Sequence, residues 1–413
     1  MNTKTIVILG GGVGGIVVAN ELRHKLPHNH NVVLIERNAV HSFAPSFLWL
    51  MTGDRQADTI TRPIGTLVRS GVQLVESEIT GIDIPNRRIS TTTEFLTYDY
   101  LVVALGAELA PELIPGLAEG SFSFYTLEET KKLRQALLNF KGGNIALVVS
   151  ALPYKCPGAP HEAAMLIADF FRRRGLQQKV TIHLYTPEAQ PMPVAGPQLG
   201  AAVKEMLTSK HIAFHPLHKL SSVHPQTRTL SFEGAEPVSY DMLITIPPHR
   251  GPRIVREAGL TNEAGWVPVD RSTLKTKHDN VYAIGDVTTI GIPGRWKPEI
   301  PMMLPKAGVF AHVQAEVVAQ RIVDEINGVI SKTEFCGPGY CMLEAGEGLA
   351  GFAYGDFFAE PSPRLELRNI GRAWHLGKVL FEQWWLSPFG FKKAILRRAL
   401  TYGAKVLKIP VSV

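Results

Sequence analysis

The chain alternates short apolar runs with stretches of helical period, and that alternation sets its architecture. Thr5-Ile-Val-Ile-Leu9 is a strand-length apolar run, followed at once by six residues of which five are glycine. Ile16-Val-Val-Ala-Asn-Glu-Leu22 then has helical spacing, and Asn31-Val-Val-Leu-Ile-Glu36 is a second strand. The polar and apolar positions from Val72 to Tyr100 predict a hairpin-like insertion. Glu128 to Phe140 reads as a helix with one polar face. A second strand-helix-strand unit runs from Ile145-Ala-Leu-Val-Val-Ser150 through Glu162 to Phe171 and on to Val180-Thr-Ile-His-Leu-Tyr185, continuing to about Pro247. Ala307 to Ile326 predicts a long helix, and from Ser331 onward the chain turns aromatic. Strands alternating with helices predict parallel sheets. The expected fold is therefore α/β, with two Rossmann-like dinucleotide-binding domains and a C-terminal region. Residues 1–110 and 248–330 would build the first domain, 111–247 the second, and 331–413 the C-terminal region.

Gly10, Gly12 and Gly15 fit G-x-G-x-x-G between the first strand and its helix, with Gly14 inside the motif. The first glycine permits the tight turn, the second lets backbone approach a pyrophosphate, and the third lets helix pack on strand. Glu36 ends the second strand about 20 residues on, where an acid takes a ribose hydroxyl. Asn280-Val-Tyr-Ala-Ile-Gly-Asp286 resembles the second fingerprint of two-domain FAD proteins, which places Gly285 and Asp286 at the cofactor. Tyr100-Leu-Val-Val-Ala-Leu-Gly-Ala107 resembles their strand-to-loop crossing, which adds Ala104 and Gly106. Together these favour FAD over NAD.

The second unit carries no glycine fingerprint where a nicotinamide pyrophosphate would sit. Residues 149–162 read VSALPYKCPGAPHE, a cysteine held between prolines with an acid six residues on. Electrons are then expected to reach the flavin through sulfur. A helix predicted to start near His161, together with Lys155, would stabilise a Cys156 thiolate, and Glu162 could hold or relay a proton. Cys341 heads an apolar strand-like stretch and Cys336 lies close before it, so Cys341 can pair either with Cys156 or with Cys336. Three cysteines in 413 residues make no disulfide framework. No residue pattern calls for a metal.

These segments resemble the sulfide:quinone oxidoreductases and the flavoprotein subunit of flavocytochrome c sulfide dehydrogenase. The resemblance rests on Gly10 to Gly15, His41 to Trp49, Pro153 to Glu162, Ala283 to Asp286, Pro305-Lys-Ala-Gly308, the Cys341 segment and Gly377 to Glu382. It implies FAD as cofactor, Cys156 and Cys341 as a redox pair attacked by hydrosulfide, and Glu162 as their proton partner. It implies Lys306 beside the flavin's pyrimidine end, and Phe352, Lys378 and Phe381 around a quinone ring. It leaves oligomeric state open, with a homo-oligomer expected. Three departures bear on substrate: no cysteine precedes Cys156, Met342 stands where many relatives have Phe, and residues 187–200 contain no histidine.

Trp374, Phe381, Trp384, Trp385, Phe389 and Phe391 crowd the C-terminal third, and Trp384-Trp385 suits an apolar-to-wet boundary. On a helical wheel Phe391, Ile395, Ala399, Tyr402 and Val406 share a face that Leu396, Leu400 and Leu407 widen. Lys393, Arg397, Arg398, Lys405 and Lys408 fall mostly opposite, with Lys392 misplaced. That is the pattern of a basic amphipathic helix lying on an anionic membrane. No run of 18 apolar residues occurs, and Met1-Asn-Thr-Lys leads straight into a glycine-broken strand without an export signal. The expectation is a peripheral protein on the cytoplasmic face of a quinone-bearing membrane. A net charge of +6 concentrated in this tail speaks against nucleic acid. Three alternatives stay in view: a type II NADH:quinone oxidoreductase, which shares fold, FAD and tail but needs a glycine-rich loop after Val149; a cytochrome-linked sulfide dehydrogenase flavoprotein, which has no use for this tail; and a redox sensor that holds FAD and thiols without turnover and needs no quinone slot.

Overall fold

The computed structural model describes residues 3–297 and 299–409. Its first sheet has five parallel strands in the order Val281–Ala283, Tyr100–Val103, Thr5–Leu9, Asn31–Glu36, Val72–Glu76. A parallel sheet is covered on both faces, so its strands are apolar almost throughout. Ile6 and Ile8 face the helices Val13–Lys25 and Gly308–Ile326, packing with Val18, Leu22, Val318 and Ile322. Val7, Leu9, Val33 and Ile35 face the other way, onto Ile82 and Ile89. Those two residues belong to an antiparallel meander, Ile79–Asp83, Arg88–Thr91 and Phe95–Thr97.

The expected hairpin over Val72 to Tyr100 is therefore wrong at its start. Val72–Glu76 is the edge strand of the main sheet, with Val72 opposite Val32 and Glu76 opposite Glu36. Only from Ile79 does the chain fold back on itself.

The second sheet repeats the plan with four parallel strands, Ile212–His215, Val180–Tyr185, Gly143–Val149 and Met242–Ile246. Ile145, Leu147 and Val149 pack on the helices Leu127–Asn139 and Ala159–Arg173. Ala146 and Val148 pack on a small antiparallel sheet through Val223 and Leu230. The C-terminal region is a three-stranded antiparallel sheet, Pro338–Gly346, Leu349–Asp356 and Arg364–Gly371, followed by helices Arg372–Trp385 and Phe391–Val406.

The C-terminal helices depart from the wheel drawn on sequence. Leu396 and Leu400 pack against the core around Trp384 and Trp385, so they are not part of an outward face. Trp384 and Trp385 are themselves buried, not at a boundary. Their position follows from a partner far along the chain: the Trp385 indole N–H donates to His41 Nε2 at 3.0 Å. Lys393, expected on the polar face, is drawn in to cap the preceding helix at the carbonyls of Trp385 (3.3 Å) and Ser387 (3.0 Å). Desolvation against Trp384 and Phe389 lowers its pKa to about 8. Phe391, Ile395, Tyr402 and Val406 do remain exposed as one stripe.

Candidate active site

The glycine motif meets close-approach limits that only glycine satisfies. A Cβ on Gly10, whose φ is +99°, would lie 2.6 Å from the Ala104 carbonyl oxygen, and one on Gly15 would lie 1.8 Å from the Gly10 oxygen. At Gly14 a Cβ would meet only the end of the Ile284 side chain at 2.9 Å, a milder limit than at Gly10 or Gly15. Beside Gly12 there is open space within 4 Å, and the helix it precedes has no side-chain cap. Uncapped N–H groups facing an open backbone form a phosphate cradle. Glu36 is fixed at its rim: one carboxylate oxygen accepts the Gly11 N–H at 2.7 Å, the other the Asn38 N–H at 2.9 Å. Gly106 also borders open space. Gly285 donates its N–H to Gln314 at 2.7 Å, a residue the sequence reading missed. Gly285, Asp286, Lys306 and Gln314 line one recess near the second uncapped helix start, at Gly308. These features fit a dinucleotide with its pyrophosphate at Gly12 and its far end toward Asp286.

Lys306 is held by protein carbonyls at the edge of this recess. Its ammonium donates to the carbonyls of Asp286 (2.7 Å) and Thr288 (2.9 Å) and lies 3.5 Å from the Trp266 ring centre. Burial lowers its pKa to about 8. Its own carbonyl accepts the Cys156 N–H at 2.6 Å, so this residue ties the Asp286 turn to the cysteine loop.

The cysteine loop is over-determined. Cys156 has φ +60°, a left-handed conformation that costs a residue with a Cβ about 1–3 kcal/mol. It is held there by the Lys306 contact and by its own carbonyl, which accepts the Ala159 N–H at 2.9 Å and starts the helix Ala159–Arg173. Tyr125 fixes the loop through a hydrogen bond to the Lys155 carbonyl at 2.8 Å. Tyr154 fixes it from the other side by donating to buried Glu188 at 3.0 Å. Burial pushes the Glu188 carboxyl up to about 7, against the hydrogen bonds from Tyr154 and Thr186.

The thiolate stabilisation expected at Cys156 is opposed by its surroundings. The residue is exposed at the surface of the protein, and desolvation followed by the Glu162 carboxylate pushes the thiol up to about 12. Lys378 and the Ala159 N–H pull the other way without prevailing. Lys155 acts elsewhere, its charge reaching Asp286 and His249.

The strand Pro338–Gly346 passes close over Gly158. A Cβ there would meet Leu343 at 2.8 Å, Cys341 Sγ at 3.4 Å and Glu162 Oε2 at 3.8 Å. The same approach puts Cys341 within electrostatic reach of both Glu162 and Cys156, and burial raises its thiol further. Cys336 lies on an exposed segment, its sulfur 3.8 Å from the Glu334 carbonyl. The three thiols are unbridged.

Glu162 and Lys378, 3% and 8% exposed, form a direct ion pair between the cysteine helix and Arg372–Trp385. Lys378 is the cation that lowers both thiols. Its ammonium also reaches the Met342 carbonyl at 3.4 Å, and Met342 lies opposite Phe352 in the sheet. Phe352 is fully buried, stacked on Trp374 at 4.6 Å, and half-buried Phe381 packs 6.2 Å from Phe43. Two residues absent from the sequence reading complete the cluster. Glu344 donates its backbone N–H to Glu162 at 2.9 Å and accepts from or pairs with His375 at 2.9 Å.

Residues 4–311 match the pyridine nucleotide-disulphide oxidoreductase family model, well over half of the chain, and the chain belongs to that family. Its members are FAD-binding oxidoreductases. The mouse protein named mitochondrial sulfide:quinone oxidoreductase is 29% identical over 303 residues, covering 70% of this chain and 66% of that protein, so the match spans just under two thirds of that relative. The sulfide-quinone reductase of Aquifex aeolicus is 28% identical over 399 residues, 93% of this chain and 90% of the relative. The crystal structure of the sulfide:quinone oxidoreductase from Aquifex aeolicus superposes with a TM-score of 0.85 at 26% identity, covering 100% of this chain and 96% of that one.

Proposed function

We propose that this flavoprotein oxidises hydrosulfide at Cys156 and Cys341 and delivers the electrons to a membrane quinone. The observation that supports this reading is the approach of Cys341 and Glu162 to Gly158, two residues after Cys156, beside the Glu162–Lys378 pair and on the loop where a nicotinamide-binding glycine turn would otherwise stand. The names of the mouse and Aquifex relatives support sulfide as donor and quinone as acceptor.

In the oxidised enzyme the two sulfurs are bridged. Hydrosulfide attacks one sulfur, the S–S bond breaks, and a persulfide forms there while the other cysteine leaves as thiolate. Burial opposes that thiolate, so Lys378 is the group that stabilises it. Glu162, in direct contact with Lys378, balances the charge and takes the hydrosulfide proton. When a second hydrosulfide takes the outer persulfide sulfur, re-closure of the Cys156–Cys341 bond releases two electrons, which FAD, when bound, would take up. Gly10, Gly12, Gly14, Gly15, Glu36, Ala104, Gly106, Gly285 and Asp286 would hold it, with Lys306 bracing the Asp286 turn against the cysteine loop. Phe352, Lys378 and Phe381 border the quinone site, where Lys378 offers a hydrogen bond to a carbonyl.

Among the described residues no helix is long and apolar enough to cross a membrane. Phe391 and Tyr402 are 82% and 72% exposed on the last helix, with Arg398, Lys405 and Lys408 alongside. That stripe lies on an anionic bilayer, from which a lipid-soluble quinone enters.

The test is steady-state reduction of a short-chain quinone. Sulfide supports turnover, NADH does not, and Cys156→Ser and Cys341→Ser each abolish it. NADH-dependent turnover would replace this reading with a type II dehydrogenase.

A further inference from the structure

We propose that Glu344 and His375 form the route by which a solvent proton reaches the Glu162–Lys378 pair during quinone reduction. This rests on the reaction proposed above, whose balance demands such a route. Hydrosulfide gives up two electrons and one proton; a quinone takes two electrons and two protons to become quinol. The sum is HS⁻ + quinone + H⁺ → sulfane sulfur + quinol, so one proton enters from water in each turnover.

Lys378 and Glu162 cannot collect it themselves, because both are buried. The connection to water runs through their neighbours. Glu344, 1% exposed, donates its backbone N–H to Glu162 Oε1 at 2.9 Å. Its carboxylate Oε2 lies 2.9 Å from His375 Nδ1, and the His375 side chain is 32% exposed. The Glu344 N–H positions the residue and carries no proton; its carboxylate takes the proton from His375 and hands it toward Lys378, whose charge acts on both Glu162 and Glu344. His375 and Lys378 are three residues apart on one helix and therefore share a face. Trp49 closes the side of this path, its ring edge-on to His375 at 5.9 Å and 5.4 Å from the Lys378 ammonium.

A structural role alone does not account for Glu344. Its Oε1 is buried without a hydrogen-bond partner, and an unsatisfied carboxylate oxygen costs stability that an apolar side chain would not. A carboxylate that receives and passes a proton needs that free lone pair. Burial raises the Glu344 carboxyl toward the protonated form, against the pull of Lys378 and His375. The other charges facing the path are few. Cys156 and Cys341 lie beyond Glu162. Arg55 sits 4.5 Å from the Trp49 ring centre and pairs with Glu382, and Asp169, beside Gly346, is paired with Arg172 and Arg173.

The experiment separates the two half-reactions of the FAD-loaded enzyme by stopped flow. Enzyme reduced with dithionite is mixed with a short-chain quinone across about pH 6 to 9, in H2O and D2O, with and without added imidazole. With His375→Phe, reoxidation is expected to slow about tenfold or more, to lose its wild-type pH profile, and to recover with imidazole, while flavin bleaching by sulfide keeps its rate. His375→Gln, which retains a donor to Glu344, checks that folding is intact and is slowed without losing the melt temperature. Glu344→Gln slows the same half-reaction. Wild-type reoxidation in His375→Phe, or a slowing that imidazole does not rescue and that leaves the pH profile unchanged, overturns the proposal. Absence of bleaching by sulfide in the wild-type enzyme would defeat the parent reading instead, and the quinone half-reaction would still decide the relay.

Discussion

Replacing Lys378 with methionine keeps the buried stem and removes the ammonium. The Glu162 carboxylate is then left 3% exposed with the Glu344 N–H as its remaining donor among the described residues. Stranding one member of a buried pair costs about 3–5 kcal/mol, because the remaining charge has no compensation. Glu162→Gln is milder, about 1–3 kcal/mol, since the ammonium keeps the Met342 carbonyl at 3.4 Å and the nearby Glu344 carboxylate. The double variant removes both charges and should be more stable than the sum of the singles by about 1–3 kcal/mol. Urea unfolding of the FAD-loaded protein reads this as a shift of midpoint at unchanged slope, with flavin fluorescence and far-UV circular dichroism required to coincide. Added salt should barely alter the result, because a buried pair is poorly screened. Lys378→Met within about 0.5 kcal/mol of wild type, or singles that simply add, would refute the claim that this pair is desolvated and coupled.

With its thiol pushed up to about 12, Cys156 is about 10⁻⁴ thiolate at pH 8. In reduced protein it should alkylate with iodoacetamide about a thousandfold more slowly than an ordinary thiol, gaining about tenfold per pH unit; peptide mapping by mass spectrometry reads the rate, and fast labelling at pH 8 would contradict the burial argument. Glu188 titrates at about 7 in the fold against 4.5 unfolded, so the folded state binds the extra proton within that window. Its contribution is therefore fully present below about pH 4.5 and lost as pH rises through about 7, a change of roughly 3 kcal/mol. Glu188→Gln should flatten that slope between urea midpoints at pH 5 and pH 8, and an unchanged slope would count against it. Phe391→Ser and Ile395→Ser should each weaken sedimentation with anionic vesicles about tenfold, at roughly 1.5 kcal/mol per side chain withdrawn from lipid; unaltered binding would remove the exposed stripe from the membrane.

The parts of the fold legible in the sequence were those set by local sterics and period. The strand Thr5–Leu9, its glycine turn and the strand Asn31–Glu36 could be placed to the residue, because Gly15 answers a contact with Gly10 within one strand-turn-helix unit. Val72–Glu76 was misread because an edge strand with alternating exposure looks like a hairpin arm until its neighbour is known. Cys156 shows the limit for chemistry. A helix start and Lys155 are visible in sequence, but the Glu162 carboxylate and the crowding that dominate its ionisation come from packing. Glu162 and Lys378 meet across 216 residues, and Trp385 finds His41 across 344, so neither contact could be inferred from spacing. Glu344 and His375 did leave signals: a lone acid inside the apolar run after Cys341, and a histidine one turn before Lys378.

The most direct test is anaerobic stopped-flow absorbance of the FAD-loaded protein, followed at the oxidised flavin band at roughly 450 nm. Sulfide alone should bleach the band, NADH alone should not, and a short-chain quinone should restore it. Cys156→Ser and Cys341→Ser should abolish the bleaching. Bleaching by sulfide that survives both substitutions, or bleaching by NADH, would contradict the assignment of electron entry to the cysteine pair.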